Sequence, residues 1–120
     1  MEYRVDLGER LLDYAARIIK LVRSLPKTIV GQRIGDQLLR SGTSGGANYE
    51  EAQGAESKAD FVHKLQIALK EIRESNYWLR LLAKAGVVPS ARLTNIIDES
   101  CQLRAMLSKA VARAKGTAKS

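Results

Sequence analysis

The sequence is poor in the residues that build metal sites, disulfides and β-rich cores. It has one cysteine, one histidine, one phenylalanine and two prolines among 120 residues, and 5% of its residues are aromatic. Because Cys101 has no second cysteine and His63 is the sole histidine, one subunit cannot supply a disulfide or a normal His/Cys metal site. We therefore expect no metal ion and no cofactor, and we expect Cys101 to be a small buried side chain.

The sequence also lacks an apolar run as long as the roughly 20 residues that span a bilayer. Glu2, Asp6 and Glu9 stand near the N-terminus, where a secretory signal would need a basic start followed by an apolar stretch. These two absences predict a cytoplasmic protein that does not contact membranes.

Aliphatic residues dominate what the chain does contain. Apolar residues make up 45% of it, mostly leucine, isoleucine and alanine, and this mixture favours an all-α fold over a β-sandwich or barrel. Residues 1–120 are enough for one domain with a real core. A basic C-terminal tail is expected from about residue 115.

Apolar residues recur at alternating spacings of three and four, which predicts four amphipathic helices. The first spans about 6–24, and a second apolar stripe makes its apolar face wider than a surface helix needs. That second stripe consists of Leu12, Ala15, Ile19 and Val22. The third helix spans about 57–86 with Ser57 as its N-cap, and the fourth follows Pro89. The predicted core seam of the third helix consists of Phe61, Leu65, Ala68, Ile72, Ser75, Leu79 and Leu82. That of the fourth helix consists of Leu93, Ile96, Ser100, Leu103, Leu107, Ala110 and Ala114. Short connections favour an antiparallel up-down-up-down four-helix bundle.

The second helix has an ambiguous middle. Thr28 is its predicted N-cap. Its predicted core side consists of Val30, Ile34, Leu38, Ser41, Gly45, Asn48 and Ala52. Residues 41–46 read SGTSGG, and each glycine inside a helix costs about 1 kcal/mol relative to alanine. The run is therefore either a break that forms a turn or a helix whose small residues let another backbone approach closely.

Charge is unevenly distributed along the sequence. The chain has 20 basic and 13 acidic residues, a net charge of +7. Residues 1–56 hold eight of each sign, so the excess lies in the second half. This asymmetry suggests a polyanion or an acidic surface as partner.

One face of the third helix repeats cations around a tyrosine at spacings of three and four. With two cations of the fourth helix, the predicted nucleic-acid-binding residues are Lys70, Arg73, Tyr77, Arg80, Lys84, Lys109 and Arg113. Cations at this spacing suit a phosphate backbone, and a tyrosine can stack on a base. The alternative is a solvated face whose charges pair with Glu71 and Glu74.

Another face of the third helix mixes apolar and acidic side chains, namely Ile67, Glu71, Glu74, Trp78 and Leu81. Either Trp78 anchors an interface with a partner, or it covers the end of the core. Together with the second stripe of the first helix, this face predicts an oligomer interface. The predicted interface residues are Leu12, Ile19, Trp78 and Leu81.

No catalytic residues are predicted. Asp60 and His63 have the spacing of a di-iron ligand pair, but such sites need two pairs and further carboxylates, so His63 is expected at the surface or in an interface. Glu50, Glu51 and Glu56 cluster without a nucleophile or base beside them. We expect these three to be helix-surface charges.

Two segments resemble a known family. They read RSGTSGGANYEEA over residues 40–52 and SKADFVHKLQIALKEIRESNYWLRLL over residues 57–82. They resemble small bacterial four-helix-bundle proteins encoded in intervening sequences of 23S ribosomal RNA genes, and the accessory variability determinant proteins of diversity-generating retroelements are similar. The resemblance extends over about residues 11–114. Glu50 and Gly54 depart from the commoner pattern.

The resemblance carries expectations of its own. It implies that the second helix continues through its glycines, with Ser41, Ser44, Gly45 and Ala47 as small packing residues. It also implies a homo-pentamer whose partner is a nucleic acid or a nucleic-acid enzyme, such as ribosomal RNA or a reverse transcriptase.

The leading hypothesis is a non-enzymatic, oligomeric protein that binds RNA or RNA-DNA hybrids through their phosphate backbone. The main alternative is a protein-interaction scaffold without a direct nucleic-acid role. A metal-dependent enzyme is the third and least supported hypothesis.

Overall fold

Four α-helices make up most of residues 6–116, the part of the chain that the computed structural model describes. They are α1 (Leu7–Arg23), α2 (Ile29–Gln53), α3 (Lys58–Lys84) and α4 (Ser90–Lys115). Each helix packs against the next, and α4 returns to contact α1. This order confirms the predicted all-α, up-down-up-down four-helix bundle. None of the described helices combines the length and apolar character needed to span a membrane.

Side-chain oxygens cap the first three helices where the sequence predicts their starts. Asp6 accepts a hydrogen bond from the backbone N–H of Glu9 at 3.2 Å. Thr28 and Ser57 do the same for α2 and α3, at 3.1 and 3.0 Å. The helix α3 ends before Gly86, whose φ of 71° is a left-handed conformation that glycine adopts without strain.

The predicted basic tail lies partly outside the described residues. The helix α4 ends at Lys115, and Gly116 adopts a left-handed φ of 77°. Residues 117–120, which include Lys119, are outside the described range, as is Glu2.

The seams predicted for α3 and α4 form the core. Leu65, Ala68, Ile72, Ser75, Leu79 and Leu82 on α3 and Leu93, Ile96, Ser100, Leu103 and Leu107 on α4 are buried. Leu11, Tyr14 and Ile18 of α1 and Leu38 of α2 complete the main cluster. Phe61, also predicted in the α3 seam, is partly exposed and packs in a smaller cluster with Ala52, Leu65 and Val111.

Two burial expectations are wrong. Cys101 is exposed, because the buried seam of α4 passes through Ser100 and the next residue lies about 100° around the helix. Val30 is 47% exposed. The first turn of α2 instead directs Gly31 inward, against the backbone carbonyl of Pro26.

The glycine-rich run is helix, so the continuous interpretation of α2 is confirmed. A Cβ atom at Gly42 would lie 2.8 Å from both Cγ1 and Cγ2 of Ile18 on α1. A Cβ atom at Gly45 would lie 2.6 Å from Cδ1 of Ile72 on α3. The glycines therefore bring α2 close to both of its neighbours, in contacts that no larger residue permits without movement.

A buried hydrogen bond joins α1 to α3 in the centre of the bundle. The hydroxyl of Tyr14 and the hydroxyl of Ser75 are 2.7 Å apart. Because Ser75 donates its one hydrogen to the carbonyl of Ile72 at 2.8 Å, Tyr14 is the donor of the shared bond. Burial raises the pKa of Tyr14 to about 12 from its ordinary 10.0.

We predict that Gly42→Ala destabilises the protein. Alanine improves helix propensity by about 1 kcal/mol, but overpacking a filled core costs about 1–3 kcal/mol, and the β-branched, fully buried Ile18 cannot move both γ carbons away. Urea unfolding at equal subunit concentration measures the difference. Gly54→Ala is the control, because the nearest atom to its added Cβ is 3.9 Å away. A Gly42→Ala protein as stable as the parent would contradict the prediction.

We also predict that Tyr14 makes stability fall between about pH 10 and 12. Its pKa is higher in the folded protein than its ordinary 10.0, so its contribution is complete below pH 10 and is lost as pH rises through the folded value of about 12. Tyr14→Phe removes this dependence and, at neutral pH, costs about 1 kcal/mol for the lost buried hydrogen bond. Thermal unfolding of both proteins across this pH range measures both effects. Parallel pH profiles would rule out Tyr14 as the cause.

Candidate nucleic-acid interface

The solvent-facing stripe of α3 is basic from its middle to its end. Lys70, Arg73, Tyr77, Arg80 and Lys84 are all exposed. They lie opposite the buried seam, and from Lys70 to Lys84 the stripe covers about 21 Å of helix axis. No acidic residue interrupts it. We call these five residues the α3 basic stripe.

Two acidic residues in the middle of the same helix face α2 instead. Glu71 is 9% exposed and accepts a hydrogen bond from Nη1 of Arg40 at 2.8 Å. Glu74 accepts hydrogen bonds from Nη2 of Arg40 and from Nε1 of Trp78, the latter at 2.9 Å. These two bonds, the Trp78 bond first, hold the pKa of Glu74 below its ordinary value. The carboxylates that could neutralise the basic stripe are therefore already paired.

The four cations of the stripe have no carboxylate within 4.0 Å among residues 6–116. Glu71 and Glu74 pair with Arg40 of α2 instead, and Lys70 acts on Glu74 only through a weaker coulombic attraction.

An asparagine at the α3–α4 contact orients Arg80. Asn76 is 2% exposed and donates from Nδ2 to Oγ of Ser100 on α4 at 2.7 Å. Its Oδ1 accepts a hydrogen bond from Nε of Arg80 at 2.9 Å. Holding Nε in this way leaves the two terminal nitrogens of the guanidinium group available for an anion.

The same contact brings a residue near the stripe that the sequence pattern did not select. Because α3 and α4 are antiparallel and Asn76 contacts Ser100, Arg104 lies beside the α3 turn that carries Arg73. Arg104 is partly exposed. A pattern search along one helix cannot find it, since its relation to Arg73 depends on the register between two helices.

The two α4 cations predicted with the stripe lie elsewhere. Lys109 is exposed and nine residues beyond Ser100, which places it half a turn from the buried seam and facing away from α3. Arg113 lines a groove at the far end of the bundle together with Tyr49 and Gln53 of α2. The predicted nucleic-acid-binding residues therefore form one continuous group of five and two separate positions.

The aromatic pair on α3 divides between surface and core. Tyr77 is 51% exposed and meets Trp78 edge to face, with ring centroids 5.1 Å apart. Trp78 is partly buried and packs against the main core cluster. This packing favours the interpretation in which Trp78 covers the core, while Tyr77 keeps a ring accessible for stacking.

The predicted oligomer interface falls on two sides of α2. Leu12 and Ile19 are 62% and 42% exposed and line an apolar groove of about 380 Å³ between α1 and α2. Trp78 and Leu81 are partly buried on α3. The exposed apolar side chains of α1 are the more unusual of the two groups, because large aliphatic residues side by side at a surface are typical of contact sites.

The residues considered as metal ligands or catalytic groups do not form a site together. Within residues 6–116 no three His, Cys, Asp or Glu side chains come together as metal ligands. His63 is exposed, as are Glu50, Glu51 and Glu56, and Glu51 forms a surface ion pair with Lys64 at 2.9 Å. The arrangement can bind through charge and apolar contact, and the described residues bring no nucleophile and base together.

Comparison with known proteins places the chain in a family. A crystal structure of a protein with unknown function from Bacteroides thetaiotaomicron VPI-5482, of the S23 ribosomal protein family, is 37% identical, with a TM-score of 0.80 over 88% of this chain and 98% of that one. No curated protein matches the chain. The 23S rRNA-intervening sequence protein model matches residues 5–109. The chain belongs to the 23S rRNA-intervening sequence protein family, as the two sequence segments indicated.

Proposed function

We propose that this protein is a non-enzymatic, oligomeric protein that binds RNA or RNA-DNA hybrids through their phosphate backbone. One observation carries the proposal: the α3 basic stripe has four exposed cations and an accessible tyrosine, while Glu71 and Glu74 of the same helix are paired with Arg40 of α2. A face that merely kept the protein in solution would gain from mixing both signs of charge.

The physics of the stripe predicts how it binds. Cations that replace the counterions of a phosphate backbone release those counterions, so affinity falls steeply with salt. Contacts to phosphate position a protein but do not read bases. We therefore propose binding with little sequence preference, in which Tyr77 adds stacking on unpaired bases.

RNA is the first nucleic acid to test, because the family is named for the intervening sequences of 23S rRNA. The ligand is then ribosomal RNA or another RNA with an accessible backbone. The resemblance to accessory variability determinant proteins suggests a reverse transcriptase as a further partner.

We propose self-association as part of the same function. Leu12 and Ile19 expose more apolar surface on α1 than one bundle covers, and a second subunit is the occupant we propose for the groove between α1 and α2. The proposed number of five subunits comes from the family resemblance. A ring repeats the α3 basic stripe, so weak phosphate contacts on several subunits combine into useful affinity.

The protein-interaction scaffold remains the alternative, and the same apolar groove favours it. The two proposals differ in whether the α3 basic stripe is needed to bind the partner. A scaffold keeps its partner when the basic stripe is reversed, whereas a nucleic-acid-binding protein does not.

We predict that Arg73→Glu together with Lys84→Glu weakens RNA binding and reduces the slope of log affinity against log salt. The reason is the loss of phosphate contacts. Both residues are exposed and have no described side-chain bond, whereas Arg80 is excluded because it bonds to Asn76. Fluorescence anisotropy with single-stranded and duplex RNA at several salt concentrations measures the effect.

The matched control carries Lys27→Glu and Arg33→Glu, which change the net charge equally at exposed positions outside the α3 basic stripe. If both double variants lose the same affinity, the effect is only net charge and the stripe is a solvated face.

We predict that Tyr77→Ala weakens binding to single-stranded RNA by about 1–3 kcal/mol and changes binding to duplex RNA little, because only unpaired bases stack on the ring.

We predict that Leu12→Glu together with Ile19→Glu yields a smaller assembly than the parent protein. Placing carboxylates in an apolar contact leaves them desolvated, which opposes association. Light scattering coupled to size exclusion gives the mass. The control is Ile29→Glu, which changes a residue 66% exposed at the start of α2 and outside the groove. A parent protein that is monomeric at micromolar concentration would contradict both the interface and the pentamer.

A further inference from the structure

The seam between α1 and α4 contains an ion pair near the start of α1. Arg10 donates from Nη2 to Oε1 of Glu99 at 2.6 Å and from Nε to Oε2 at 3.0 Å. Because α1 and α4 are antiparallel, seven residues forward on α1 and seven residues back on α4 give the next equivalent pair. That pair is Arg17 and Arg92. Two arginines therefore face each other where the preceding pair has an arginine and a carboxylate.

The opposed arginines share a groove with a third cation. The groove has a volume of about 220 Å³ and is lined by Arg17, Lys20, Leu21, Arg92, Leu93 and Ile96. Leu93 and Ile96 are buried and form its floor, whereas the three cations are exposed. Its lining contains no acid, and none of the three cations has an ion pair among residues 6–116.

The start of α4 adds to the positive potential of this groove. Pro89 provides no side-chain cap, and the first turn of α4 contains no acid. The other three helices each have a side-chain oxygen on their first free N–H groups. The α4 macrodipole is therefore uncompensated close to Arg92, two residues into the helix.

Ordinary surface roles do not account for this arrangement. Lys20 lies in the last turn of α1, where a cation favours the helix dipole, but that reason does not apply to Arg17 and Arg92. At the α2–α3 seam the chain pairs its cations with carboxylates, as Arg40 and Lys64 show. Facing arginines without a counterion repel, and an anion between them removes the repulsion.

We propose that Arg17, Lys20 and Arg92 form a binding site for a phosphate group. Two guanidinium groups can each donate paired hydrogen bonds to phosphate oxygens, and the ammonium group of Lys20 adds a third charge. The site lies on the α1 side of α4, whereas the α3 basic stripe lies on its α3 side, so the site does not depend on RNA binding by the stripe. The phosphate belongs either to a small anion or to a nucleic acid.

The test measures thermal unfolding by circular dichroism during titration with sodium phosphate, compared with sodium chloride at equal ionic strength. A ligand that binds the folded state raises the unfolding temperature in a saturable manner. We expect phosphate to do so and chloride not. In the variant Arg92→Glu, a carboxylate faces Arg17 as Glu99 faces Arg10. We expect a higher unfolding temperature in chloride and an affinity for phosphate reduced about tenfold or more.

Two further variants make the outcome specific. Arg17→Gln removes one cation and the repulsion without adding an ion pair, so it should lose phosphate affinity and gain less in chloride than Arg92→Glu. Arg33→Glu changes the net charge as Arg92→Glu does, at an exposed position on α2, and should keep the parent response. No phosphate effect beyond that of chloride in the parent protein, or equal losses in Arg33→Glu and Arg92→Glu, would overturn the site.

RNA oligonucleotides identify the source of the phosphate. Tighter binding of a 5′-phosphorylated strand than of its 5′-hydroxyl counterpart, abolished by Arg92→Glu, assigns the site to a terminal phosphate. Equal binding of both strands, weakened by Arg92→Glu, assigns it to the backbone. A response to inorganic phosphate alone assigns it to a small anion. The Arg73→Glu, Lys84→Glu protein should keep its phosphate response, so failure of the stripe and failure of this site can be told apart.

Discussion

The close approach of α2 to its two neighbours is the constraint on which the rest of the bundle depends. Gly42 leaves room for Ile18 and Gly45 leaves room for Ile72, so one helix is fixed against α1 and α3 at the same time. Each glycine inside a helix lowers the stability of that helix by about 1 kcal/mol relative to alanine. The packing contacts of α2 with α1 and with α3 must outweigh that loss. These contacts form because the glycines let the helices approach more closely than larger side chains would.

Fixing α2 against α3 also determines where charge is available. Arg40 lies on α2 beside the acidic residues of α3 and binds both Glu71 and Glu74. Without it, Glu74 would be free to neutralise Lys70, one turn away on the same helix. The basic character of the outer face of α3 is therefore a consequence of packing on its inner side.

The distribution of charge over the folded bundle differs from the distribution along the sequence. Read along the chain, the excess lies after residue 56, but the up-down topology brings the α1–α2 and α3–α4 connections to one end of the bundle. Residues 17–36 hold five basic residues and one acidic residue, and residues 80–92 hold three basic and none acidic. Cations from the balanced first half thus join those of the second half at a common end.

Local pattern was enough to predict the helices, their caps and the buried seams, because each depends on residues within a few turns. Whether α2 continues through SGTSGG could not be decided from propensity, since the answer depends on Ile18 and Ile72, which are distant in sequence. Cys101 was misplaced because apolar character says little about a position beside a seam. The role of Arg40 and the facing pair of Arg17 and Arg92 both require the register between helices, which periodicity along one helix does not contain.

The two cationic surfaces lie on either side of α4, and their shapes suit different anionic ligands. The α3 basic stripe is long and open, and of its cations only Arg80 is held by a described hydrogen bond, to Asn76. Such a surface suits contacts spread along a flexible polyanion. The α1–α4 groove is short, has an apolar floor of Leu93 and Ile96, and concentrates three charges around a volume of about 220 Å³, which suits a single anion held at one point. An extended ligand that met both surfaces would cross the N-terminal half of α4, and its orientation would be set by the groove while most of its salt-dependent affinity came from the stripe.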